Sequence, residues 1–153
     1  MSDTNRFIEN GRKFYEMMDA GKNDYWKHMP GPRHRRANVI NFIRQVSPQS
    51  IGDFGCGNGS LLKEIQNQFS DIQLIGFDLS KSQTTVNQKQ YPNMTWTFCD
   101  LSSSDFKVKK LVDLAVSSEV IEHIDLHELY LKNVYNCIRS GGYLFLSTQS
   151  GRI

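Results

Sequence analysis

The stretch Ser50–Leu62 does most to restrict what this chain can become. It begins as a short apolar strand, closes on Asp53-Phe54, and turns through Gly55, Gly57 and Gly59, spaced two apart. Leu61, Leu62, Ile65 and Phe69 then recur at helical spacing. Glycines in such a turn reach positive φ and let a ligand approach the main chain with no Cβ in the way. The first N–H groups of the following helix have no intrahelical partner and face whatever is bound. Strand, tight turn and helix in succession open an α/β unit built on a parallel sheet.

The glycine spacing narrows the ligand. A dinucleotide-binding turn reads G-x-G-x-x-G, its third glycine serving close helix packing. Here the third glycine comes one place early, at Gly59, and Ser60 stands where that pattern wants glycine. Asp53 precedes Gly55 by two residues. An acid aimed into the crevice repels a pyrophosphate and suits a ligand that carries an ammonium group. The run D-x-G-x-G-x-G resembles motif I of the class I S-adenosylmethionine-dependent methyltransferases. The resemblance extends over about residues 50–148. It implies a doubly wound, mainly parallel, Rossmann-like sheet that binds S-adenosyl-L-methionine, with Asp53, Gly55, Cys56, Gly57 and Gly59 at the cofactor.

Bulk properties agree with this. A chain of 153 residues makes one domain and buries about 68–70% of its unfolded surface. Apolar content of 39% suffices for such a core, and no apolar run approaches the roughly 18 residues of a membrane span. Met1–Arg6 lacks the basic-then-apolar layout of a secretory signal. Cys56, Cys99 and Cys137 are odd in number and widely spaced, which fits reduced thiols and a cytoplasmic setting. A net charge of +2 argues neither for nor against nucleic acid.

Taken in order, residues 1–31 are polar and aromatic, interrupted by Gly11 and Gly21, and read as an arm or lid over the glycine turn. The domain that the resemblance implies, a Rossmann-like methyltransferase domain, is expected to run over 32–153, with Pro32 in the first turn of a helix. Arg33-His34-Arg35-Arg36 opens that helix, ahead of Val39, Ile40, Ile43 and Val46. A basic first turn opposes the helix dipole and calls for an anionic partner. In the resembling family an arginine of this region holds the carboxylate of the cofactor's methionine part, which points to Arg33 or Arg36. RNA or a phosphorylated substrate is a further candidate, for which four basic groups are few.

The helix 60–69 leads to a second strand, 72–78, ending on Asp78. A carboxylate at that position accepts both hydroxyls of a ribose, which is equally expected for NAD, so Asp78 points to a ribose-containing ligand without choosing between the two. The resemblance places Leu79 beside the adenosine, and Ser80 is expected to cap a helix over 81–90, which is polar apart from Val86 and expected to be short and exposed. Met94–Phe98 alternates as a third strand and reaches Cys99-Asp100-Leu101. In the resembling family an acid here receives the adenine amino group, and the main chain of the next residue, Leu101, meets the ring.

The nearly continuous apolar run 111–118 is a central parallel strand. It opens into Ser118-Glu119-Val120-Ile121-Glu122-His123-Ile124, which resembles the motif after strand four in methyltransferases of quinone precursors and other small molecules. The resemblance places main-chain groups near Ser118 at the cofactor's amino-acid end, and His123 is the best-placed base for a hydroxyl acceptor. Glu119, Glu122 and His123 also form an oxygen, oxygen and nitrogen set suited to a hard divalent ion. The family's small-RNA 3′-end methyltransferases use such a set with one further histidine. His127 supplies one if 123–127 is helical. A structural cap is the bland alternative for the same residues.

A helix with Leu131, Val134, Tyr135 and Ile138 on one face is expected to end at Gly141-Gly142 in a left-handed cap, followed by a fifth strand, 143–148. The resembling fold has seven strands and five are counted here. The expectation is therefore a truncated sheet whose fifth strand is a bare edge, open to pairing with a second copy. The reading that follows is methyl transfer to a small-molecule acceptor: a hydroxyl, or a quinone or lipid precursor. A non-catalytic cofactor-binding module, a metal-assisted RNA 3′-end methyltransferase and an NAD-linked oxidoreductase are the alternatives.

Overall fold

The structure, a computed structural model, describes residues 30–107 and 110–148. The arm expected over 1–31 lies outside the described residues except for its last two, which begin a helix. That helix, α1 (Pro30–Val46), buries Val39, Ile40 and Ile43, one turn apart. The order is then β1 (Ser50–Phe54), α2 (Ser60–Gln68), β2 (Gln73–Asp78), α3 (Lys81–Gln90), β3 (Thr95–Phe98) and β4 (Val112–Ser118). A 3-10 turn (Ile121–His123), α4 (His127–Tyr135) and β5 (Ile138–Ser147) complete it.

All strand pairs are parallel, in the order β3-β2-β1-β4-β5. The chain winds outward from β1 to β3, then returns to lay β4 on the other side of β1. Strand order reverses between β1 and β4, and the crevice outside their carboxyl ends is where ligands of open α/β sheets bind. The expected doubly wound sheet is thus the observed one.

Alternation along the strands fills one core on each face. Ile51, Leu74, Leu114 and Val116 meet Val39, Ile40, Ile43, Leu62 and Ile65 of α1 and α2. On the other face Phe54, Ile75, Phe77 and Ala115 meet Tyr130 and Val134 of α4. Phe54 and Phe77 stack there at 4.5 Å with an interplanar angle of 11°. Each fully buried Leu, Ile or Phe contributes about 1.5–3 kcal/mol. Ile51 and Asp53 share a face, so the alternation that buries Ile51 against α1 also aims Asp53 toward α1.

Two expectations are corrected. The helix expected to run to Gly141 stops at Tyr135; Ile138 opens β5, and Tyr135 is 72% exposed. The spacing 131, 134, 135, 138 matches one helix face but spans the turn at Asn136-Cys137. Gly141 does take a left-handed φ of 78°. It does so inside β5, where pairing jumps from Val112↔Ile138 to Leu114↔Tyr143. The glycine accommodates an irregularity in the strand, with no helix to cap. The second correction concerns α3, expected to be exposed. Gln83, Thr84 and Asn87 are buried, while Val86 is 52% exposed.

Among the described residues β5 pairs with β4 alone, and Tyr143, Leu144 and Leu146 are 48%, 38% and 42% exposed. An apolar edge of this kind is a template for association. The double change Leu144→Lys, Leu146→Lys is expected to lower concentration-dependent association in sedimentation velocity while leaving the circular dichroism unchanged. Equal association of the variant would clear the edge of that role.

Candidate functional site

The carboxyl ends of β1, β2, β3 and β4 bring most of the sequence-derived candidates to one rim. The glycine turn after β1 is fastened to β2, because Gly55 and Cys56 donate their N–H groups to Phe77 O at 2.8 and 3.0 Å. Gly55, Gly57 and Gly59 have φ of 96°, 47° and 72°. A Cβ on Gly55 would collide with the Val120 side chain, whereas one on Gly57 would meet nothing within 4 Å. Gly57 therefore faces open space at the rim, where a ligand could approach the main chain without meeting a side chain. One N–H at the start of α2 is already taken: Ser60 donates to Asn58 Oδ1 at 3.1 Å.

Asp78 ends β2 and accepts from Gly57 N at 2.7 Å through Oδ2 and from Ser80 N at 2.8 Å through Oδ1. Ser80 also caps α3, its Oγ accepting from Gln83 N. Burial pushes the Asp78 carboxyl above its ordinary range, opposed by those backbone donors. Asp53 is 4% exposed. Burial first and the neighbouring Asp78 second raise its pKa from 3.8 to about 7, with the Arg36 guanidinium pulling the other way. Burial, Asp53 and Asp78 likewise raise the Cys56 thiol, so Cys56 stays a neutral, buried thiol. Leu79 is partly exposed beside Asp78, and Leu101 is buried against the face of α4. Asp100 turns its Oδ1 to Ser102 N and Ser102 Oγ, at 2.9 and 2.7 Å. It also lines a groove of about 370 Å³ with Phe77, Thr97, Cys99 and Phe106.

Two arginines of α1 reach this rim. Arg36 donates to Ser60 Oγ at 2.6 Å and pairs with Glu64 at 3.6 Å. Arg35 places Nε 3.4 Å from Glu119 Oε1. Arg33, one of the two arginines to which the resemblance points, is exposed, whereas Arg35, its neighbour in the basic cluster, is partly buried. Glu119 follows β4 with φ of 60°, in the left-handed region where a residue other than glycine is strained. Both its carboxylate oxygens are buried and lack a hydrogen-bond partner among the described residues. A buried carboxylate held in a strained backbone, with one guanidinium nearby, is short of donors and suits an ammonium or hydroxyl. Beneath it Ser118 Oγ meets Ser147 Oγ at 2.8 Å, and Ser117 Oγ meets the buried Tyr130 hydroxyl at 2.6 Å.

The E-x-x-E-H run does not converge. Glu122 is exposed and accepts from Thr148 Oγ1 at 3.1 Å. His123 ends the 3-10 turn, Ile124 is extended, and α4 begins afresh at His127. The helical spacing between His123 and His127 is therefore absent. Among the described residues no three His, Cys, Asp or Glu side chains come together as a metal site. No described helix is long and apolar enough to cross a membrane.

Residues 25–153 match the family model described as "Methyltransferase domain". The chain is 26% identical over 113 residues to a malonyl-acyl-carrier-protein O-methyltransferase of Hahella chejuensis, covering 72% of this chain and 40% of that protein. It is 32% identical over 79 residues to a trans-aconitate 2-methyltransferase of Yersinia pseudotuberculosis, covering 51% of this chain and 31% of the relative. This chain thus spans well under half the length of these curated relatives. Among solved structures, the N-methyltransferase NodS of Bradyrhizobium japonicum, crystallised with S-adenosyl-L-homocysteine, superposes with a TM-score of 0.75 at 17% identity. That superposition covers 88% of this chain and 71% of the other.

Proposed function

The chain belongs to the class I S-adenosylmethionine-dependent methyltransferases, and on that premise we propose that it binds S-adenosyl-L-methionine along the rim of β1–β4 and methylates a small molecule. The observation that carries this reading is the acidic rim. Three adjacent parallel strands each carry an aspartate at or just past the carboxyl end, Asp53, Asp78 and Asp100, and Asp78 accepts from the N–H of Gly57, whose own face is open. One aspartate at a strand end is usually a turn former; three along one edge suit a ligand rich in donors and positive charge.

The residues present fit that cofactor. Asp78 has a lone pair left on each oxygen after its two backbone bonds and is assigned the ribose hydroxyls. Asp100 and the main chain of Leu101 are assigned the adenine edge, with Leu79 against the ring. Arg35 and the donor-poor Glu119 stand 3.4 Å apart with opposite charge, complementary to a zwitterionic amino-acid end. In this assignment Arg35, more enclosed than Arg33, takes the carboxylate, while Asp53 and Glu119 take the positive side.

When bound, the cofactor supplies a methyl on a sulfonium that passes in line to the acceptor, leaving a neutral thioether. The work left to the protein is alignment, which can lower a barrier by roughly 7–11 kcal/mol. No covalent nucleophile is needed. A hydroxyl acceptor must also lose its proton, and His123, exposed in the turn after β4, is the group assigned to receive it. The acceptor class, hydroxyl or quinone or lipid precursor, rests on the motif after β4.

Calorimetry with S-adenosylmethionine, S-adenosylhomocysteine and NAD tests the binding step. The first two should bind and NAD should not. Asp78→Ala removes two charge-assisted bonds to the sugar and should weaken S-adenosylhomocysteine about tenfold or more; unchanged affinity would reject the ribose assignment. Transfer of labelled methyl to a small-molecule extract then separates an enzyme from a module that only binds.

A further inference from the structure

We propose that two buried asparagines, Asn87 of α3 and Asn133 of α4, are positioning residues that hold the two nucleoside-binding loops in their binding shape. The inference rests on the reading of the rim just given. It starts from the polar underside of α3. Asn87 is 0% exposed, donates through Nδ2 to Gly57 O at 2.7 Å, and accepts from Gln83 Nε2 at 2.8 Å. Gly57 N meanwhile donates to Asp78 Oδ2. The peptides on both sides of Gly57 are thus gripped, the first by Asp78 and the second by Asn87. Glycine has the widest choice of backbone conformations, and no side chain of its own limits it here. Fixing both flanking peptides fixes φ and ψ together.

Asn133 does the same work from the opposite face of the sheet. It is 7% exposed, and its Nδ2 donates to Leu101 O and Ser103 O, each at 2.9 Å. Asp100 Oδ1 already caps Ser102 N in the same turn. One amide therefore ties down the turn that carries the proposed adenine contacts.

A purely structural purpose would have placed other residues here. α3 turns its one aliphatic side chain, Val86, half out to solvent and buries Gln83, Thr84 and Asn87. Burying an apolar side chain is worth more to stability than a neutral buried hydrogen bond. The helix gives up that gain and obtains a rigid glycine turn. Preorganised loops bind more tightly because less order has to be imposed by the ligand.

The test uses the full chain with Asn87→Leu and Asn133→Leu, leucine keeping the branched outline, at a larger volume, while removing the amide. Three quantities are read: the Kd for S-adenosylhomocysteine, the urea midpoint, and amide hydrogen exchange at residues 57–58 and 101–103 without ligand. Each variant should lose about fivefold to fiftyfold in affinity, with exchange accelerated at its own loop alone, whereas a merely general loss of stability would lower the urea midpoint and speed exchange throughout the chain. Affinity within twofold of wild type and unaltered loop exchange would overturn the proposal. If a leucine variant fails to fold, Asn→Ser at the same position shortens the donor and should give the same pairing of faster exchange with weaker binding. If the wild-type chain does not bind S-adenosylhomocysteine, the functional reading fails, and loop exchange alone decides whether the asparagines hold these loops.

Discussion

Replacing Gly55 by alanine should cost the fold about 2–5 kcal/mol, whereas Gly57→Ala should cost about 1–2 kcal/mol and instead abolish tight nucleoside binding. Both glycines have positive φ, 96° and 47°, so each substitution carries the strain of a side chain in the left-handed region. The difference lies in what the new Cβ meets. At Gly55 it strikes the Val120 side chain, which is packed beneath the loop that carries Glu119. Either Val120 moves or the turn does, and overpacking adds to the strain. At Gly57 the Cβ meets nothing within 4 Å, so the folded chain accommodates it. That space is the cradle assigned to the ligand. Urea denaturation and calorimetry with S-adenosylhomocysteine on the same samples give both quantities. Equal stability of the two variants would mean that Val120 yields freely, and undiminished binding by Gly57→Ala would place the nucleoside elsewhere. A domain of ordinary stability holds only about 5–15 kcal/mol in total, so the Gly55 change is severe.

That contrast was only half legible in the sequence. The turn, the strands on either side and the three terminal aspartates follow from local signals: glycine spacing, short apolar runs, an acid at each run's end. Ser80 as the cap of α3 and the limits 81–90 are equally local, and the structure has both. What local pattern misses is set by contacts between distant segments. The buried face of α3 exists because Asn87 reaches Gly57, thirty residues earlier. No periodicity announces that, and a polar helix reads as a solvated one. The end of α4 was misplaced for a related reason: Ile138 continues a helical spacing, yet its backbone pairs with Val112. Arg35 lies in view within a basic cluster, but its approach to Glu119 depends on where that carboxylate falls after β4.

Asp53→Asn should make the chain more stable above neutral pH and a poorer binder of its ligand, and both effects should fade as the pH falls. The wild-type carboxyl titrates near 7 in the folded chain against 3.8 when free, burial being the main cause and Asp78 the next. A folded pKa above the unfolded one means that the folded state takes up more protons in between. The stability tied to the neutral acid is therefore complete below about pH 4 and is lost as the pH rises through 7. By pH 8 the loss is on the order of 4 kcal/mol, and asparagine, always neutral, escapes it. Urea midpoints of variant and wild type should therefore converge near pH 4–5 and separate by pH 8. Binding runs the opposite way. A sulfonium or ammonium brought to the rim favours ionised Asp53, so wild-type affinity should climb between pH 6 and 8, with a proton released on binding near neutrality. Calorimetry in two buffers of different ionisation enthalpy measures that proton. Asp78, whose carboxyl is also raised, leaves a smaller dependence of the same sign in the variant. If the variant gains no stability at pH 8, Asp53 is not held as an unfavourable charge. If proton release is the same in both proteins, the cation does not face Asp53. Stability gained by Asp53→Asn together with a lost proton release would make Asp53 the counterpart of binding: what the free fold loses by ionising it, the bound state recovers through the positive ligand.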